Sequence, residues 1–265
     1  MEIICPVCKR ELFCDNRSYT CDNGHRFDIA RQGYVNLYLK QSHKSYGDGP
    51  LLSKARHSFF AKDHYHSLKE KLVTIIKDLD VTSVLDCGCG DGYYTNYLKK
   101  SLPDLDILGI DISKEMLKLA NDNSGVLYVV ADNHQLPVKD QSIDLILNCF
   151  VPQSLSEYQR IIRDDGYLVV VNPDIDHLFE LKKAVYDTPY LNKLKYLPED
   201  WVKVEECHLK DEIYLDNNRD IKELFSMTPY SYKTSEKDKQ KLDELNHLDL
   251  TLAFHICIYQ KAVRP

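Results

Sequence analysis

Apolar and polar positions along this 265-residue chain keep two different periods. Over 65–79, Leu68, Leu72, Ile75, Ile76 and Leu79 recur every three or four residues, which predicts an amphipathic helix. From residue 84 onward, short continuous apolar runs alternate with helix-forming stretches. The runs predict strands at 84–87, 106–111, 127–131, 143–149 and 168–171, the last entered through a turn at Asp165-Gly166. Helices are expected between them at 93–101, 114–121 (with Ser113 as N-cap) and 156–163. Such an alternation describes a mostly parallel sheet covered on both faces. Further on, 201–214 and 250–259 read as two long strands. The second alternates Leu252, Phe254, Ile256 and Ile258, as a half-buried antiparallel closing pair would. Helices at 220–226 and 233–247 are expected between the two.

In open α/β sheets a ligand lies beyond the carboxyl ends of the strands, where strand order reverses. Strand 84–87 runs into Gly88, Gly90 and Gly92, and glycine lets the backbone approach a ligand closely. The spacing is not the dinucleotide fingerprint: the third glycine comes one residue early, and Tyr93 stands where that fingerprint wants glycine. Asp86, just ahead of the loop, would repel a pyrophosphate. Carboxylates close the next two strands. Asp111 is placed to accept from both ribose hydroxyls and Asp132 to meet an adenine amino group, while Asn148 closes the fourth. The loop resembles motif I of class I S-adenosylmethionine (SAM) methyltransferases. The resemblance implies a SAM cofactor and an α/β, Rossmann-like sheet of seven strands.

Four of the nine cysteines cluster near the N-terminus, at 5, 8, 14 and 21, which in a reducing compartment argues for metal rather than disulfides. Cys5-x2-Cys8 and Cys21-x3-His25 have the spacing of two ligand pairs on one tetrahedral zinc. Cys14 is the rival ligand. Four protein ligands leave no open position, so the zinc is expected to be structural. Residues 12–20 between the pairs are expected to form a small ribbon turning near Asp15-Asn16, too short to fold without the metal. Charge is divided unevenly. Residues 1–62 carry ten Lys/Arg against six Asp/Glu, leaving −11 of the total −7 to residues 63–265. Lys40, His43, Lys44, Tyr46, Lys54, Arg56 and Lys62 mix basic and aromatic character, which suits RNA as a partner, although composition alone slightly favours a solvated linker. The expected division is a zinc-binding module at 1–36, a basic linker at 37–62 with a hinge at 47–50, and a SAM-binding domain at 63–265. With no membrane-length apolar run and no secretion signal, a soluble cytoplasmic protein is expected.

Together these pieces resemble the 23S ribosomal RNA (guanine-N1)-methyltransferases of the RlmA type. The marks are the Cys5…His25 ligand set, Phe27-Asp28, Gly33-Tyr34-Val35-Asn36-Leu37, Ala55-Arg56-x2-Phe59, His64-Tyr65, the stretch from Gly88 to Thr95, His177-Leu178-x-Glu180-Leu181-Lys182 and Met227-Thr228-Pro229. The stretch around Gly49-Pro50-Leu51-Leu52 departs from the family pattern. The resemblance implies SAM contacts from Tyr65, Gly92, Tyr93 and His177, a 23S RNA hairpin loop as substrate, and a homodimer. Asn148-Cys149-Phe150-Val151-Pro152 stands where related amino-methylating enzymes carry Asn/Asp-Pro-Pro-aromatic. That makes Asn148 a candidate to orient the base and Phe150 a candidate to stack on it. Asp174 and Asp86 are candidate bases. Two alternatives stay open on the residues: a methyltransferase acting on a small metabolite, and a non-catalytic RNA-binding adaptor with a vestigial fold.

Overall fold

A computed structural model describes residues 1–39, 49–120 and 125–262. The basic and aromatic residues Lys40, His43, Lys44 and Tyr46 and the first half of the expected hinge, Gly47-Asp48, fall outside them. Among the described residues, three short strands, β1 (Phe13–Cys14), β2 (Ser18–Thr20) and β3 (Arg26–Asp28), form an antiparallel ribbon. Its first turn passes through Asn16 at φ 72, and the Asp15 carboxylate caps that turn by accepting from the Ser18 amide at 2.8 Å. The ribbon is therefore where the sequence puts it.

The main sheet contains β4 (Tyr34–Asn36), β5 (Ser83–Cys87), β6 (Asp106–Asp111), β7 (Leu127–Val130), β8 (Ile143–Cys149), β9 (Ile162–Pro173), β10 (Trp201–Leu215) and β11 (Leu248–Lys261). Its order is β10-β11-β9-β8-β5-β6-β7-β4. Strands β4 to β9 are parallel, and β11 runs antiparallel between β9 and β10. Leaving β4 aside, the other seven have the strand order of the class I methyltransferase sheet, and the order reverses between β5 and β8. β9 begins earlier than expected: it runs through Asp165-Gly166 with a register shift against β8 instead of turning there. Glycine permits this, because a Cβ at Gly166 would stand 2.8 Å from the Asp144 carbonyl oxygen.

Helices cover both faces. Helix α2 (His66–Asp78) buries Leu68, Leu72, Ile75 and Ile76, the face its periodicity defines. Helix α3 (Tyr93–Ser101) follows the glycine loop, and α4 (Lys114–Ala120), α5 (Leu155–Ile161) and α7 (Asn218–Met227) lie where sequence places them. The charged stretch expected as a helix over 233–247 shortens to α8 (Glu236–Gln240) and a 3-10 turn at Lys241–Glu244. Two helices arise without a sequence expectation. They are α6 (Phe179–Val185) and α1 (Pro50–Phe60), the latter inside the stretch read as linker.

The N-terminal ribbon is docked rather than tethered. Cys5, Leu12, Cys21 and Val35 share one buried cluster with Leu85, Leu108, Val129 and Ile146 of the sheet. Strand β4 extends the sheet itself, pairing Tyr34, Val35 and Asn36 in parallel with Tyr128, Val129 and Val130. A single bridge, Ile3 to Val138, pins the first residues.

Candidate functional site

At the strand reversal, β5 ends in Asp86 and Cys87 and opens into Gly88, Gly90 and Gly92, all at positive φ. The sterics at two of them require glycine. A Cβ at Gly88 would stand 2.5 Å from Val151, beyond the end of β8, and one at Gly92 would stand 2.4 Å from the Tyr128 hydroxyl. The loop is bound to β6 by Asp111, whose carboxylate accepts from the Gly90 amide at 2.9 Å and the Ser113 amide at 2.7 Å. Asp132, two residues past the end of β7, receives the His134 amide at 2.9 Å. Asp86 is 1% exposed, and its carboxylate accepts the Thr95 hydroxyl at 2.6 Å. Burial pushes its carboxyl up to about 7, the Thr95 hydrogen bond opposing. The residues fit SAM: a backbone cradle that side chains would fill, a buried carboxyl matched to an ammonium, and a carboxylate at the ribose position.

Over the carboxyl end of β8 and β9 lies a ring cluster. Phe150 sits at φ 62 and is 37% exposed, and its ring stacks toward His177 with centroids 6.4 Å apart. Phe254 of β11 touches both, at 5.9 Å and 5.2 Å, and Tyr65 at 5.3 Å. Leu178, next to His177, is also left-handed. Strain at two non-glycine residues flanking one cluster is the kind of feature that gathers at functional sites. Burial lowers the His177 imidazole to about 4, so it is neutral at physiological pH. Its Nδ1 accepts the Ala253 amide at 3.1 Å, which puts the proton on Nε2 and makes that atom a donor.

Asn148 is placed otherwise than a base-orienting residue would be. It is fully buried on the opposite face of β8, donating to the Tyr158 hydroxyl at 2.8 Å and accepting from Gln153 at 3.4 Å. Together with Asn133, which donates to the Pro152 carbonyl at 2.8 Å, these bonds hold the 150–153 turn that carries Phe150. Sequence reasoning also missed how α1 closes the cradle. His57 Nδ1 lies 2.7 Å from the Asp91 carboxylate in the glycine loop, and Phe60 stacks on Tyr93 at 4.5 Å. The Tyr93 hydroxyl donates to Asp63 at 2.7 Å. The family marks Ala55-Arg56-x2-Phe59 lie on this helix, a signal that was in hand but not read as structure.

The expected metal ligands converge. Cys5 Sγ is 3.6 Å and Cys21 Sγ 3.4 Å from His25 Nδ1, and Cys8 Sγ is 3.6 Å from Cys21 Sγ. Ligands of a tetrahedral zinc with bonds of about 2.3 Å to sulfur and 2.0 Å to nitrogen stand roughly 3.5–3.8 Å apart. The Arg10 amide, donating to Cys8, leads the effects that lower its thiol to about 6, while burial raises that of Cys5. Cys14 is exposed on β1 and outside the cluster. The residues fit a structural zinc.

Comparison with known proteins identifies the two halves separately. Residues 3–45 match the family model described as "RlmA, N-terminal", and residues 85–170 match "Methyltransferase domain". Across both, the chain is 30% identical to the 23S rRNA (guanine(748)-N(1))-methyltransferase of Streptomyces fradiae, over 96% of this chain and 95% of that one. The chain belongs to the 23S rRNA (guanine-N1)-methyltransferase family. A Bacillus subtilis relative is 29% identical over 97% of this methyltransferase and 96% of its own length. The malonyl-[acyl-carrier protein] O-methyltransferase of Hamiltonella defensa is 30% identical over only 64% of it. SAM and a structural zinc are accordingly the protein's cofactors, and the Cys/His cluster fits the zinc.

Proposed function

We propose that this methyltransferase, working in the cytoplasm, methylates N1 of a guanine in a hairpin loop of 23S ribosomal RNA. The observation that carries this is the joining of the Cys5, Cys8, Cys21, His25 cluster to a SAM cradle in one chain, matched end to end by a relative of that specificity. The division into a recognition module at 1–36 and a SAM-binding domain at 63–265, and a homodimeric assembly, belong to the same proposal.

SAM supplies a methyl group on an already activated sulfonium. Guanine N1 holds a proton at neutral pH, so the base must lose it as the N1–carbon bond forms and the sulfur–carbon bond breaks, with that bond's electron pair going to sulfur. The chain's part is alignment of the two reactants. Gly88, Gly90 and Gly92 would admit the methionine end, Asp86 would pair with its ammonium, and Asp111 and Asp132 would hold the ribose and adenine. Tyr65 and Tyr93 wall the pocket. A guanine taken out of its stack lies against Phe150, and the His177 Nε2–H donates either to the SAM carboxylate or to O6 of the base, where negative charge grows. Asn148 acts through the turn that it pins. Asp174, just past β9, accepts from His208 at 2.6 Å and from the Ile175 amide at 2.7 Å. The zinc module exposes Val7 and Phe13 and carries Lys9, Arg10 and Arg17 in the same segment, apolar and basic groups suited to a looped RNA.

The test is reverse transcription across 23S RNA from cells lacking the protein, before and after incubation with protein and SAM. A methyl on N1 blocks base pairing, so a new stop one nucleotide before a single loop guanine is expected. Transcripts without any new stop would refute the proposal.

A further inference from the structure

A second polar cluster lies on the face of β11 opposite Phe254 and Ile256. The β10–β11 register sets Glu206 against Cys257 and His208 against His255, and the two-residue spacing in each strand puts all four on one face. Glu206 Oε1 is 2.6 Å from His255 Nε2 and 3.9 Å from His208 Nε2, and the three donor atoms lie within 4.8 Å of one another. Ligands on a tetrahedral cation with bonds of about 2.0–2.1 Å stand roughly 3.3 Å apart, which the two distances bracket.

The surroundings orient each donor. His208 Nδ1 is 2.6 Å from the Asp174 carboxylate, the arrangement that commits the other nitrogen, Nε2, to a metal. The Glu206 carboxylate also accepts from the Lys203 ammonium and, at 2.9 Å, from the Tyr196 hydroxyl, which fix its orientation. His255 is fully buried, and its Nδ1 has no hydrogen-bond partner among the described residues. Everything polar that the ring meets is therefore on the Nε2 side. Cys257 Sγ also lies there, at 3.2 Å.

We propose that Glu206, His208 and His255 form a second metal site, distinct from the Cys/His cluster, for a divalent cation of the zinc type. Two imidazoles select against magnesium and calcium, which prefer all-oxygen sites. Three protein ligands leave a position open on the side of His208, which is half exposed.

The test titrates the full-length protein, purified with its zinc, with Co2+ and counts both metals per chain after desalting. Wild type is expected to retain one Co2+ in addition to its zinc, with weak visible bands and no thiolate charge-transfer absorption. His208→Ala, and separately Glu206→Gln, are expected to retain zinc but no Co2+, with melting temperatures within a few degrees of wild type. Both side chains reach the surface, so two independent variants guard against a folding artefact. Failure of wild type to retain Co2+, or retention by both variants at the wild-type level, would overturn the proposal.

Discussion

Asp86 carries the sharpest consequence at the scale of single residues. Its folded pKa of about 7 lies above the ordinary 3.8, so the free protein favours the protonated carboxyl. That preference stabilises the free fold fully below about pH 4 and is lost as pH rises toward 7. An ammonium ligand needs the ionised form. SAM affinity is therefore expected to increase as pH rises to about 7 and to level off above it, with protons released on binding below that point. Calorimetry in buffers of different ionisation enthalpy reads both. Asp86→Asn is expected to weaken SAM by about 10- to 100-fold, the worth of a charge-assisted hydrogen bond, and to flatten the pH profile. A steep profile in that variant would assign the titration elsewhere. Phe150→Ala is expected to lower kcat/KM for RNA by about 10- to 100-fold, as losing one base-stacking partner does, while SAM affinity holds. The strand-end positions of Asp86 and Asp111 and the convergence of the zinc ligands were legible from apolar runs and cysteine spacing. Asn148 was not, since one strand position does not reveal which face a side chain takes. Phe254 read only as an inward strand residue, because nothing local shows that its neighbours across the sheet would be His177 and Phe150.

Elements follow the same division between local and distant information. The helix α2 and strands β5 to β8 lie within a residue or so of their periodic patterns, since each pattern reports burial on a single element. Strand β4 has three residues, too few to show a period, and it is a strand because the edge of β7 is there to receive it. Helix α1 has few buried positions, so its sequence resembles a linker; its contacts to Asp91, Tyr93 and α7 make it the cover of the cradle. The glycine loop gives the test proper to this scale. Gly92→Ala combines a left-handed φ with a close approach to the Tyr128 hydroxyl and Asn96, whereas Gly125→Ala has a similar φ of 81 and nothing within 4 Å. The control should cost about 1–2 kcal/mol of stability, the price of a left-handed Cβ alone. Gly92→Ala should cost more and abolish SAM binding, because the start of α3 must move. Equal effects in thermal denaturation and SAM titration would show that the cradle is not sterically fixed.

For the molecule as a whole, the consequence is that zinc and sheet stabilise one another. Cys5 and Cys21 reach both the metal and the sheet core, so Cys8→Ser is expected to lose its zinc, lower the melting temperature and raise amide exchange in β1 to β4, with SAM binding retained. Methyl transfer to RNA should fall to background in that variant. The seven-stranded plan was legible from alternating runs and the ribbon from cysteine spacing. Their fusion through β4 was not, because docking is a property of two surfaces and neither one's pattern announces the other. The central claim is that the metal-bound module presents a guanine to the donor held beyond β5. It is tested most directly by digesting 23S RNA to nucleosides after incubation with the protein and isotope-labelled SAM. Label is expected in 1-methylguanosine alone, at one methyl per RNA; label in another nucleoside, or none, would contradict the account.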